Sequence, residues 1–263
     1  MKETSLKDAA AFIRDDLRLK TFPIAAKFLK DTEDFPEKTR RPSVAMKKKV
    51  TICQGVTMAR NYGWTVGLAR EDVTCVPAAI VFGFSDSSDQ QASLSKLFRR
   101  ACLAADEELA AKEVSSMSRF ENGEIRGIVM APVERVSFEP DTVLIYANPA
   151  QVMRLAQAWS YMTGERITGY FGGKVECDEY LIAPCKTKSA RIVIPGNGER
   201  IFAGTQDDEI TFAAPIGSVT RLAEGLKSAG KAIGARYPVP PYQNFQPEFP
   251  ESYKILGKDI GID

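Results

Sequence analysis

The chain has 263 residues, 26% of them charged and 44% hydrophobic, with 35 basic against 34 acidic side chains. The formal net charge of +1 gives no reason to expect nucleic acid or an anionic membrane as partner, and no apolar run approaches the ~18 residues of a membrane-inserted helix. There is no histidine, which removes imidazole as base, proton shuttle or metal ligand and excludes any triad built on it.

From the N-terminus, Ser5 and Asp8 read as the start of a helix with Leu6, Ala9, Ala10, Ile13 and Leu17 on one stripe, stopped by Pro23. Ile24, Ala26 and Phe28 alternate as a strand, and residues 31–43 read as a loop. A second helix is expected over 45–62, with Met46, Val50, Cys53 and Thr57 on one face and Gly63 at its end. Trp64, Val66 and Leu68 alternate as a strand. Residues 75–84 are apolar on every side and so expected buried. After a polar stretch at 85–93, a long helix is expected to 114, with Leu94, Leu97, Phe98, Ala101, Ala105 and Leu109 as its core stripe and Cys102 packed beside it. Strands are expected at 126–131, 142–147, 189–194 and 208–213, and helices at 150–163 and 216–228.

Two segments resemble each other. Leu144 to Pro149 runs into a helix holding Arg154-Leu155-Ala156, and Thr211 to Pro215 runs into one holding Arg221-Leu222-Ala223. Both read as strand, proline, helix, and proline suits a helix start. The pair is either a coincidence or a duplicated αβ unit, which would give two related lobes. From Tyr237 to Tyr253 five prolines alternate with five aromatics, a density that favours extended chain. The expected organisation is therefore one α+β domain over 1–236, of mixed sheets packed with helices, followed by a Pro/aromatic arm over 237–263. That arm would wrap the domain or embrace a neighbouring subunit.

The charged N-terminus lacks the apolar core of a secretory signal. With five cysteines, an odd number, it points to reduced thiols in a cytoplasmic setting. Cys53, Cys75, Cys177 and Cys185 are the candidates for chemistry. Their spacing contains no C-x-x-C pair and matches neither a zinc ribbon nor a ferredoxin. Against any role stands the ordinary use of free cysteine as a small buried hydrophobe. Gly172 and Gly173, in the glycine-rich run before Cys177, would let a backbone approach a cofactor. Pro195-Gly196-Asn197-Gly198 reads first as a tight hairpin turn, and Arg200 beyond it as a cation that could grip a polar ligand or pair with Asp207, Asp208 or Glu209.

Several short motifs occur together: Pro23-Ile24-Ala25-Ala26-Lys27-Phe28, then Cys53-Gln54 with Ala59-Arg60-Asn61-Tyr62-Gly63, Glu71-Asp72, Cys75 and Gly83. Pro149-Ala150-Gln151, Cys177, Arg200 and Asp208-Glu209 through Pro215 follow in the same order. From about residue 20 to 230 the chain resembles domain-of-unknown-function family 169 (DUF169), an uncharacterised family found largely in anaerobic bacteria and archaea. The resemblance implies that Cys53, Cys75 and Cys177 sit at the family's recurring cysteine positions. Cys102 does not, and Cys185 has no matched position. The expectation is a [4Fe–4S] cluster on Cys53, Cys75 and Cys177 with Cys185 as fourth ligand, in a redox or electron-transfer protein or subunit of anaerobic metabolism. It would work with a redox partner protein or small molecule, as a homo-oligomer or within a complex. The rivals are a cluster-free enzyme with a cysteine nucleophile and a non-catalytic binding or scaffold subunit.

Overall fold

Helix starts and stops in this chain are set by caps more than by proline. The computed structural model describes residues 4–30, 33–241 and 248–262. Helix α1 (Leu6–Asp16) is capped by Ser5, whose hydroxyl accepts the Asp8 amide. It ends well before Pro23, because Arg18 adopts a left-handed φ of 51° and the Arg18 and Leu19 amides donate back to the Asp15 and Arg14 carbonyls. Strand β1 (Ile24–Leu29) follows. The helix expected over 45–62 is broken into a single turn, α2 (Pro42–Ala45), and α3 (Ile52–Tyr62). Thr51 and Gln54 form a reciprocal capping box that fixes the start of α3, and Val50 is drawn into a bridge with Val73.

Strand β2 (Val66–Ala69) leads to α4 (Val76–Val81), in which Val76 is exposed although the segment is otherwise buried. The expected long helix to 114 is two antiparallel helices, α5 (Gln90–Arg100) and α6 (Glu107–Ser116). Between them Cys102 turns left-handed at φ 54°, Leu103 donates to the Phe98 carbonyl at 2.8 Å, and Asp106 caps α6 by accepting the Leu109 amide. Cys102, expected in the core, is therefore exposed on this connection, and Leu109 is exposed too.

The remaining elements are β3 (Gly127–Pro132), β4 (Thr142–Ala147) and α7 (Pro149–Thr163), then a π-helical turn (Asp178–Ile182) running into α8 (Ala183–Thr187). After them come β5 (Arg191–Val193), α9 (Asn197–Ala203), β6 (Ile210–Pro215), α10 (Val219–Ser228) and α11 (Glu251–Asp259). The Pro195–Gly198 stretch is not a hairpin turn: Gly196 precedes the first residue of α9. Strand β4 falls at the expected 142–147, and β6 lies two residues beyond the expected 208–213.

The six strands form one sheet in the order β2-β3-β1-β4-β6-β5. Every pairing is antiparallel, so the α+β class holds while the expected mixed sheet does not. Alternation sends side chains to two faces. Ile24, Ala26, Phe28, Leu68, Met130, Leu144 and Tyr146 join the core beneath α3 to α6 and the π-helical turn. Ala25, Val143, Ile145, Phe212 and Ala214 join the core beneath α1, α7 and α10. The two similar strand–proline–helix units lie side by side in this sheet, with Leu144 opposite Ala213. Because β4 and β6 hydrogen-bond directly, the units share one sheet and one core instead of forming separate lobes.

The tail departs from an extended arm. Tyr237 docks on the domain, its hydroxyl accepting from Asn148 Nδ2 at 3.0 Å. Part of the expected arm, 242–247, lies outside the described residues. Beyond Pro250 the chain is helical as α11, with Tyr253, Ile255 and Leu256 exposed.

Candidate functional site

Three of the five cysteines converge on the first face of the sheet, each at the beginning of a helical segment. Cys53 is the second residue of α3, Cys75 precedes α4, and Cys177 precedes the π-helical turn. Cys177 is buried and the other two partly so. The three act on one another electrostatically: Cys75 pushes up the pKa of Cys53, and both push up that of Cys177. Burial is the larger cause in each case. It raises Cys53 to about 11, Cys75 above its ordinary value and Cys177 well above it. The Gln54 amide at Cys53 and the Ala78 amide at Cys75 favour the thiolate, but too weakly to offset burial. No lysine or arginine enters the balance at any of the three.

The loops around these thiols are also drawn together. Thr51 Oγ1 lies 3.0 Å from Cys53 Sγ, which donates to the Gly198 carbonyl at 3.9 Å. This joins the first turns of α3 and α9. The Asn197 amide donates to the Gly173 carbonyl at 2.9 Å, so the two glycine-rich segments meet. Their approach needs glycine at 196, where a Cβ would stand 3.0 Å from the Gly173 carbonyl group. Gly172 and Gly173 do not offer free amides: with Lys174 they donate to Glu176 Oε1 at 2.8, 2.5 and 3.1 Å.

Carboxyls and phenols line the same region. Glu199 Oε1 accepts from Tyr146 Oη at 2.7 Å, and its other oxygen accepts the Gly196 amide. The Arg60 guanidinium lies 4.0 Å over the Tyr146 ring and makes a paired contact with Glu209 at 2.6 and 3.0 Å. Tyr180 meets Tyr146 edge-on, and its buried hydroxyl is close enough to Glu199 to favour that carboxylate. Burial raises the carboxyl of Glu199, and raises Glu176 to about 7 against its three amide donors. Asp178 is driven well up by burial and by Glu179 and Glu176. The result is a desolvated compartment that favours the neutral forms of its thiols and acids.

Cys185 lies elsewhere in this arrangement. It sits in α8, half-buried, and the charges acting on it are Asp141, Lys188, Lys186 and Glu124. Arg200 points away into the loop before β6, donating to the Gln206 carbonyl at 2.7 Å with Asp207 3.6 Å away. Lys47 to Lys49 are exposed, and Arg41 binds Asp72 and Glu71. Sequence reasoning missed Tyr146, Glu176, Tyr180 and Glu199. Only Glu199 carried a local signal, since Gly196-x-x-Glu199 has the spacing of a helix start.

Among the described residues no three Cys, Asp or Glu side chains are grouped so as to hold a single metal ion. Three thiols on separate segments, one buried and two partly so, are of the donor type that a cubane cluster takes at its corners. No helix among the described residues is long and apolar enough to cross a membrane.

A protein of Methanocaldococcus jannaschii, "Uncharacterized protein MJ0308", is 25% identical to this chain over 205 residues, covering 78% of the chain and 86% of the relative. No solved structure matches the chain. Residues 13–225 match the family described as uncharacterised ArCR, DUF169. This span holds the whole sheet and the three converging thiols, and the chain belongs to that family.

Proposed function

We propose that Cys53, Cys75 and Cys177 ligate a [4Fe–4S] cluster and that the chain is an iron–sulfur redox or electron-transfer protein or subunit of anaerobic metabolism. The observation that carries the reading is the approach of three thiols from distant stretches of sequence, near enough in the fold for Cys75 to act on Cys53 and for both to act on Cys177. A cluster supplies one-electron chemistry and the positive iron that deprotonates the thiols. The chain's own contribution is burial, the Gln54 and Ala78 amides aimed at sulfur, and the Glu199–Tyr146–Arg60 chain behind it. Glu199, which acts on both Cys53 and Cys177, fits the fourth position better than Cys185 does.

The rival nucleophile mechanism needs a thiol with lowered pKa, whereas Cys53 stands at about 11 and burial raises the other two. A cytoplasmic setting, a redox partner protein or small molecule, and assembly through the C-terminal segment belong to the same proposal. The test is anaerobic reconstitution with iron and sulfide, followed by iron and acid-labile sulfide counts and electron paramagnetic resonance of the reduced protein. Cys53→Ser, Cys75→Ser and Cys177→Ser should each lose the bound iron, while Cys185→Ser and Cys102→Ser keep it. Wild-type protein holding neither iron nor sulfide, or a Cys177→Ser variant indistinguishable from Cys102→Ser, would end the proposal.

A further inference from the structure

We propose that the pocket where the end of α7 meets the start of α10 binds a small organic carboxylate with an apolar body. It has a volume of about 280 Å³ and lies beside Trp159 and Leu222, on the sheet face opposite the thiols. Trp159 and Met162 from α7, Leu222 from α10 and Pro215 from β6 give it apolar walls. Two cations, Lys188 and Arg221, complete the lining, and no acid faces the space. Neither cation has an ion-pair partner among the described residues. The role is binding and not conversion: the Ser218 and Thr163 hydroxyls donate to the Pro215 and Trp159 carbonyls at 2.6 and 2.8 Å.

The internal repeat singles out Arg221. Arg154 and Arg221 hold the same place in the two strand–proline–helix units. Arg154 is 2% exposed, and its guanidinium is engaged by Gln157 and by the Leu226 and Ala229 carbonyls. Arg221 is exposed on the pocket and donates to nothing among the described residues. Its fork is therefore free to meet a carboxylate through two parallel hydrogen bonds. Trp159 adds a donor, since its indole N–H also has no acceptor among the described residues. Cations beside an apolar wall match a molecule with a charged head and an apolar body. The volume falls just below the range of about 300–1,000 Å³ typical of drug-sized ligands, which limits that body to one ring or a short chain.

The pocket stands apart from the thiols, so its test uses the cluster-free full chain and its outcome is independent of any cluster. The chain has two tryptophans, Trp64 and Trp159, whose indole N–H resonances are assigned with Trp64→Phe. Hexanoate, hexanol, hexylammonium and inorganic phosphate are titrated into the wild type, Arg221→Gln and Lys188→Gln while both resonances are followed. Hexanoate should move the Trp159 signal saturably and leave that of Trp64 in place. Hexanol and phosphate each lack half of the match and should bind more weakly, and hexylammonium should not bind. Arg221→Gln should weaken hexanoate by about fivefold or more, the scale of a charge-assisted hydrogen bond partly screened by solvent, and Lys188→Gln by a smaller factor. No saturable movement of the Trp159 signal, binding of any other probe as tight as that of hexanoate, or unchanged affinity in Arg221→Gln would each overturn the proposal. Both cations are exposed, so replacing either removes no core contact. The comparison of probes in the wild type needs no variant.

Discussion

The two faces of the central sheet are covered by helices to similar depth but are built from different materials. The face under α1, α7 and α10 is a core of Ala, Val, Leu, Ile, Phe and Trp. Its buried polar side chains are tied largely to backbone: Arg154 donates to the Leu226 and Ala229 carbonyls, with its Nε left without a partner, and Gln151 donates to that of Leu17. The opposite face carries three thiols, the carboxyls of Glu176, Asp178, Glu179 and Glu199, and a buried Asp178 oxygen without a hydrogen bond. A face that served packing alone would not retain groups whose burial works against folding. The contrast accords with the proposal that the thiol-bearing side of the sheet carries the chemistry.

Substitutions of opposite sign sharpen this division. Leu155 is fully buried in α7 on the apolar face. Leu155→Ala should lower the unfolding free energy by about 3 kcal/mol, within the usual range for a leucine cavity. It should do so without changing the metal content of reconstituted protein. Asp178→Asn, on the other face, should raise stability near neutral pH by about 1 kcal/mol, because folding drives a proton onto a buried carboxyl that the unfolded chain has released, a cost the amide does not carry. Urea unfolding of both variants checks the pair. A destabilised Asp178→Asn together with a nearly neutral Leu155→Ala would reverse the contrast between the two faces.

The apolar face was the more legible of the two. The strand–proline–helix order around β4 and α7, and again around β6 and α10, is a local pattern that reads directly from the chain. Helix ends were harder where a residue other than glycine turns left-handed. Arg18 and Cys102 both do so, and nothing in either side chain announces it. The expected single helix to 114 failed for that reason, and Cys102 moved from core to surface with it. The thiol site was legible only as a list of cysteines. Which of them meet depends on contacts such as Gly173 with Asn197 and Cys53 with Gly198, far apart in sequence. Glu176 and Tyr146 could not be singled out at all, since an acid or a phenol becomes special only through what surrounds it.

Opposite proton balances provide a smaller but more selective test. Glu176 moves from an ordinary 4.5 to about 7 on folding, chiefly through burial. Between those values the folded chain holds a proton that the unfolded chain has released, so stability falls as pH rises across the window. Its contribution is complete below pH 4.5 and gone above about 7. Asp72, at the edge of the same face, behaves in reverse. Burial pushes its carboxyl up, but hydrogen bonds from Ser43, the Ala69 amide and Arg41 outweigh that and leave it below 3.8. Its contribution is therefore present above pH 3.8 and lost as the pH drops through the folded value. In the cluster-free chain, Glu176→Gln should flatten the decline between pH 4.5 and 7 and leave the acid limb untouched. Asp72→Asn should do the opposite. Urea unfolding over a pH series separates the two, and because Glu199, Asp178 and Glu179 are raised as well, only part of the upper decline should vanish with Glu176. An unaltered upper slope in Glu176→Gln would mean that its carboxyl is already ionised against the three amides, leaving the proton-holding compartment to its neighbours.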